Sequence, residues 1–114
     1  MSTTFVTTWD IWEADWRHED GTRKPRPVLV LSPTAAYEGD ELISVVKIQT
    51  ARGRRGAWIE LDDTASWFAA TGLRHTCHVR VLPVRKLPAS RLLYFRGFAP
   101  DVVASEWLRL VTPR

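Results

Sequence analysis

Arg26 stands between two prolines, in Lys24-Pro25-Arg26-Pro27, immediately ahead of the apolar run Val28-Leu29-Val30-Leu31. Proline holds φ at about −65° and pushes the residue before it towards extended geometry, so this arginine cannot sit in a helix. A guanidinium on a stiffened backbone is a charge held in a defined place, which suits a phosphate. Metal-free cleavage of RNA asks for a base at the ribose 2′-OH, an acid at the leaving oxygen, and cations facing the charge that grows on phosphorus. Arg26, Thr50, His78, Arg80 and His18 are side chains of those types.

Other chemistries fit less well. His75, Cys77 and His78 are the nearest approach to a zinc site, but strand alternation sends Cys77 and His78 to opposite faces. With a single cysteine there is neither an internal disulfide framework nor a cysteine-based metal site. No metal or cofactor is therefore expected. Asp62 and Asp63 sit where a helix wants an N-cap, and Cys77 reads as a small hydrophobe on an inner face.

The charge pattern supports an anionic partner. Net charge is +3, and the cations are segregated from the acids. Lys47, Arg52, Arg54 and Arg55 occur without an acid between them, as do Arg74, Arg80, Arg85, Lys86, Arg91 and Arg96. A phosphate-binding face needs such segregation.

The elements that must position these residues read as short strands. Residues 9–17 alternate, with Trp12, Ala14 and Trp16 on one side and Ile11, Glu13 and Asp15 on the other, as in a half-buried strand. Residues 18–25 read as a loop, 28–32 as a strand buried on both faces, and 33–40 as a second loop. A third strand over 41–49 leads into a basic turn at 51–56, followed by a strand at 57–61. Residues 62–70 read as a short capped helix stopped by Gly72, and 76–82 as a fifth strand. Pro88 is expected to open a helix carrying Leu92, Leu93 and Phe95 and ending at Gly97. Pro100 opens another, with Val103, Trp107, Leu110 and Val111 as its apolar stripe. The sum is a mainly β fold with short α-helices: a small antiparallel barrel with C-terminal helices, in one domain over residues 1–114.

Composition is that of an ordinary soluble chain, 45% hydrophobic and 25% charged. The six tryptophans are many for this length, enough to place one at a binding surface. No apolar run reaches the roughly 20 residues of a membrane span, and the first residues lack the pattern of a signal peptide. A cytoplasmic location is expected.

Asp10-Ile11-Trp12, a polar loop, and then Arg26-Pro27-Val28-Leu29-Val30-Leu31-Ser32 together resemble the opening of the PemK/MazF family of toxins, from type II toxin–antitoxin systems. Ile48-Gln49-Thr50, Ile59-Glu60-Leu61-Asp62-Asp63, Ala70-Thr71-Gly72-Leu73-Arg74 and Cys77-His78-Val79-Arg80 follow in the family's order, and Pro88 and Gly97 to Asp101 resemble its closing segment. The resemblance implies an SH3-like barrel that forms homodimers, cuts single-stranded RNA without a metal, and is neutralised by a cognate antitoxin. In that family the arginine of Arg-Pro and a threonine at the end of the third strand carry cleavage. The arginine maps onto Arg26; direct alignment sets Gln49 at the threonine position, with Thr50 beside it. Arg52, Arg54, Arg55, Arg80 and His78 are then expected along the RNA, with Trp16 stacking an unpaired base. The alternative is a catalytically silent module of this family, or one like the CcdB toxin, that binds RNA, an antitoxin or a protein target.

Overall fold

The computed structural model describes residues 5–18, 20–32, 35–36 and 41–112. Nine strands run in chain order: β1 (Phe5–Val6), β2 (Asp10–Arg17), β3 (Arg23–Val30), β4 (Ala35–Ala36), β5 (Leu42–Gln49), β6 (Trp58–Leu61), β7 (Cys77–Arg80), β8 (Arg85–Pro88) and β9 (Leu92–Phe98). Two 3₁₀ turns, Phe68–Thr71 and Ala89–Arg91, and one helix, α1 (Asp101–Val111), complete the described elements. The main sheet is antiparallel in the order β6-β7-β5-β3-β2-β9, with β8 also on β5, while β1 and β4 form a separate pair. Its end strands, β6 and β9, do not pair with each other, so the barrel is open. The first 3₁₀ turn lies against β9 and α1 against β6.

Both faces of the sheet are covered. Ile11, Leu29, Val46, Ile48, Leu61 and Val79 pack on one side, joined by Val103 of α1. Trp12, Ala14, Trp16, Val28, Val30, Ile43, Val45 and Leu92 pack on the other. This explains the unbroken apolar run of β3, whose alternate residues feed two cores, each buried side chain contributing about 1.5–3 kcal/mol. It also revises β2. Its alternation is as expected, but the face expected to be solvated is covered at Glu13, which is 7% exposed, and Asp15 beyond it is partly open.

Where β3 begins decides how Arg26 is held. The loop expected over 18–25 is shorter, because β3 starts at Arg23 and pairs with β2 through Arg17↔Arg23, Asp15↔Pro25, Ala14↔Arg26 and Glu13↔Pro27. On its other side β3 meets β5 only through Val28↔Lys47, Leu29↔Val46 and Val30↔Val45. In an antiparallel ladder successive residues address alternate neighbours. Leu31 N–H donates to Ser44 O, while Val30 O accepts from Trp9 N–H beside β2. Odd-numbered positions of β3 therefore address β5 and even-numbered positions address β2. Pro25 and Pro27 fall at odd positions, so the N–H groups they lack are those that would have bonded β5. The two strands part where the prolines stand, as edge prolines require.

Two of the three expected helical segments come out differently. Residues 62–70 do not form an α-helix. Asp62 Oδ1 instead accepts from Thr64 N–H (2.9 Å) and Thr64 Oγ1 (2.8 Å) in a tight local turn, a bonding pattern by which aspartate competes with helix formation. Only the 3₁₀ turn follows, ended as expected by Gly72 at φ 69°. The helix expected from Pro88 to Gly97 is the short turn Ala89–Arg91 followed by β9. Leu92, Leu93 and Phe95 had been read at helical spacing, but Tyr94, Phe95 and Phe98 favour a strand, and pairing with β2 decides the matter. A single C-terminal helix therefore replaces the several expected. It starts after Pro100 as anticipated, and Trp107 packs edge-on to Trp9 with ring centroids 5.9 Å apart.

The 3₁₀ turn meets β9 backbone to backbone. A Cβ on Gly72 would lie 1.9 Å from Arg96 O, and one on Gly97 would lie 2.2 Å from Ala70 O. Neither position has room for a side chain. Gly72→Ala and Gly97→Ala are each expected to destabilise the fold by at least about 2 kcal/mol, through overpacking and, at Gly72, an unfavourable positive φ. Urea unfolding midpoints measure this; an alanine tolerated at either site would show that the turn and β9 are not in contact.

Candidate functional site

Where β3 and β5 part, they leave a cleft of about 320 Å³. Arg26 and Pro27 line it from β3, Ile48, Gln49 and Thr50 from the end of β5, Leu73, Arg74, His75 and Cys77 from the segment leading into β7, and Tyr94 and Arg96 from β9. The three catalytic candidates, Arg26, Gln49 and Thr50, thus share one cavity. Three guanidiniums line it, and none of the described residues lining it is a carboxylate.

Strand alternation sets Arg26 on the same sheet face as Val28, and Lys47 opposite Val28 shares that face with Gln49 two residues on. His78 is paired with Gln49 and Glu60 with His78. Arg26, Gln49 and His78 therefore belong to one face. Gln49 is the last residue of β5, and its amide Nε2 donates to Ala51 O at 2.6 Å, folding the chain back at once. Thr50 stands just beyond the strand. The pairing irregularities of this sheet lie on β9 opposite β2 and leave β5 in register.

His78 holds that bend. Its Nδ1 lies 3.0 Å from Thr50 O, and its Nε2 lies 3.6 Å from Glu60 Oε2. A carbonyl only accepts, so Nδ1 carries the proton in this contact. Through the Nδ1 bond His78 pins the start of the basic turn, and it is not among the cleft-lining residues.

Beyond the bend, Arg52, Arg54 and Arg55 are exposed. The turn is seated on Trp58, whose indole Nε1 donates to Arg55 O at 2.9 Å. Arg80 lies over the same ring, 5.8 Å from its centroid. Arg80 and Trp16 meet elsewhere, in a second cavity of about 430 Å³ with His18, Asp20, Lys47 and Arg85. Trp16 is only 5% exposed, and the Arg85 guanidinium stands 5.0 Å from its centroid. The RNA-binding candidates are thus divided between the basic turn, the second cavity and the half-buried His78 at the bend.

Arg96, Arg74, His75 and Tyr94 were not singled out as cleft residues from sequence. By sequence Arg96 falls in the segment expected to be helical. In β9 it reaches Glu13, with Nη1 3.4 Å from both carboxylate oxygens, while its Nη2 donates to Gly72 O at 3.1 Å. The side chains of this pair are 16% and 9% exposed. Arg96 also acts on Cys77: burial pushes the thiol above its ordinary value, and the nearby guanidinium partly offsets that. Among the described residues no cluster of three or more His, Cys, Asp or Glu side chains is placed to hold a metal ion. No helix among them is long and apolar enough to cross a membrane.

This arrangement sits in a chain that matches the PemK-like, MazF-like toxin of type II toxin–antitoxin systems over residues 7–111. The chain belongs to that family. Membership of a type II system implies an antitoxin as partner. No individual curated protein matches the chain.

Removing one member of a buried ion pair leaves the other charge stranded. Glu13→Leu alone is expected to cost about 3 kcal/mol, whereas Glu13→Leu with Arg96→Met should recover most of the loss. Chemical denaturation of the two single variants and the double variant gives the coupling. Additive losses would show that the two side chains do not interact.

Proposed function

We propose that this chain is a metal-independent endoribonuclease that cleaves single-stranded RNA. The observation that carries the reading is the cleft itself: Arg26 and Arg74 line it with no carboxylate paired to them among the described residues, beside Arg96, whose charge Glu13 offsets. Such a cavity favours an anion, and a phosphodiester passing through a dianionic transition state draws most from it. Arg26 stabilises the charge developing on phosphorus. Gln49 and Thr50 hold the scissile phosphate, and Arg52, Arg54 and Arg55, exposed just beyond Thr50, follow the backbone of the strand. Arg80 meets a more distant nucleotide at the second cavity, where Trp16, buried and covered by Arg85, supports the wall rather than stacking a base, and His78 acts through the bend it holds. Family membership supports the reading, along with a homodimeric assembly of this single domain, an antitoxin laid across the site, and a cytoplasmic location.

Incubation of the purified protein with end-labelled single-stranded RNA in EDTA tests this. Cleavage is expected to persist in the chelator and to fall about 10²–10³-fold in Arg26→Ala. Equal cleavage by that variant would remove Arg26 from the chemistry.

One observation favours a second reading. Gln49, at the position where the resemblance calls for threonine, carries an amide that is neither an acid nor a base near neutral pH, and that amide is already bonded to Ala51 O. A silent RNA-binding module would retain the RNA with a steep salt dependence and yield no product.

A further inference from the structure

We infer that His75 is the proton-transfer residue of the Arg26 cleft, accepting the 2′-hydroxyl proton of a bound RNA; this rests on the ribonuclease reading above. Of the residues that line the cleft, Gln49 has no exchangeable acid or base, and guanidiniums and phenols as classes titrate far above neutrality. Cys77 is buried, and its thiol is pushed upward by that burial. Among the described lining residues, only His75 carries an imidazole, a group of a class suited to proton transfer near neutral pH. His78, the histidine nearer the Arg26 face by register, does not line the cleft, and its Nδ1 is bonded to Thr50 O.

His75 is also carried on a firmly held backbone. Gly72 is locked against β9 and its carbonyl accepts from Arg96. Leu73 is buried in the core and its N–H meets Thr71 Oγ1 at 3.2 Å. After His75, Asp63 N–H donates to Thr76 Oγ1 at 3.0 Å, and Thr76 N–H lies 3.4 Å from Asp63 Oδ2. The Cys77 thiol donates to the carbonyl of His75 itself, at 3.3 Å. The backbone is thus tied on both sides while His75 is exposed at the cleft. An exposed side chain on a pinned backbone fits a group that must meet a substrate. The ionisable groups around it are Arg26, Arg74, Arg96, Cys77 and Tyr94 in the cleft, with Asp63 behind it through Thr76.

The step balances without a cofactor. The 2′-oxygen forms a bond to phosphorus as the bond from phosphorus to the 5′-oxygen breaks, giving a 2′,3′-cyclic phosphate and a 5′-hydroxyl. The 2′-hydroxyl proton passes to the His75 ring. The departing oxygen takes its proton from solvent water, and the imidazolium then returns its own to the hydroxide left behind. Nothing is oxidised or reduced.

Single-turnover cleavage of end-labelled RNA in EDTA, followed from about pH 5 to 9, tests the assignment. Wild type should gain rate as the imidazole loses its proton. His75→Ala should lose about 10²–10⁴-fold in rate together with that rising limb, regain part of it on addition of free imidazole, and unfold at the wild-type urea midpoint. Arg26→Ala should be equally slow and not respond to imidazole. If wild type cleaves and His75→Ala remains within about threefold of it, the inference falls and the ribonuclease reading stands. A slow His75→Ala enzyme with an unchanged pH profile and no imidazole rescue also overturns it. If wild type yields no product, the ribonuclease reading fails and this inference with it.

Discussion

The site depends on two missing N–H groups. Pro25 and Pro27 occupy the positions of β3 that face β5, so the ladder between these strands cannot continue past Val28↔Lys47. Even-numbered Arg26 is unaffected, because its backbone addresses β2, where it pairs with Ala14. One side of the strand is thereby fixed and the other left open. The result is a rigidly held cation at the mouth of a gap in the sheet. With ordinary residues at 25 and 27 the two strands could zip together, and the gap would fill with backbone.

The rest of the chain furnishes that gap. β5 ends at Gln49 and turns back through the Gln49–Ala51 and His78–Thr50 bonds, which launches the basic turn beside the cleft. On the far side, Gly72 and Gly97 allow the 3₁₀ turn and β9 to meet at backbone distance, and Arg96 ties them together through Gly72 O and Glu13. Arg74 and His75 leave from the end of that turn. The same clamp that gives local stability thus aims two of the cleft's charged or titratable side chains.

Much of this was legible in the sequence where local chemistry decides the outcome. Pro-Arg-Pro before a β-branched run forces an extended Arg26, and Pro100 with its apolar stripe forces α1. The errors occurred where tertiary pairing overrides local signals. Residues 92–98 carry a spacing compatible with a helix, and only the free edge of β2 makes them a strand. Glu13 looked like a solvent-facing residue because alternation reveals that two faces differ, but not that the second is covered as well at this position. Its partner Arg96 lies 83 residues away, a separation no periodicity reports. His75 was weighed only as a metal ligand. Its place in the cleft follows from how the 3₁₀ turn is docked, which depends on Gly97 in a strand the sequence did not announce.

The electrostatics of the cleft bear on what the fold has been arranged to do. A buried Arg96 alone would be prohibitive, and Glu13 beneath it lowers that cost. No such carboxylate is paired with Arg26 or Arg74 among the described residues. The cations are therefore neutralised selectively: the buried one is paired within the protein, while those nearer solvent retain an unspent field. A structure tuned for stability alone would have spread acids among them, and the sequence has acids to spare at Glu60, Asp62 and Asp63. These are engaged in the His78 contact and in local turns. Concentrated positive charge without counter-charge lowers stability through self-repulsion, and it is kept where a ligand supplies the missing negative charge. A phosphodiester meets that requirement at each nucleotide, which makes a polyanionic strand a better occupant than a small acid.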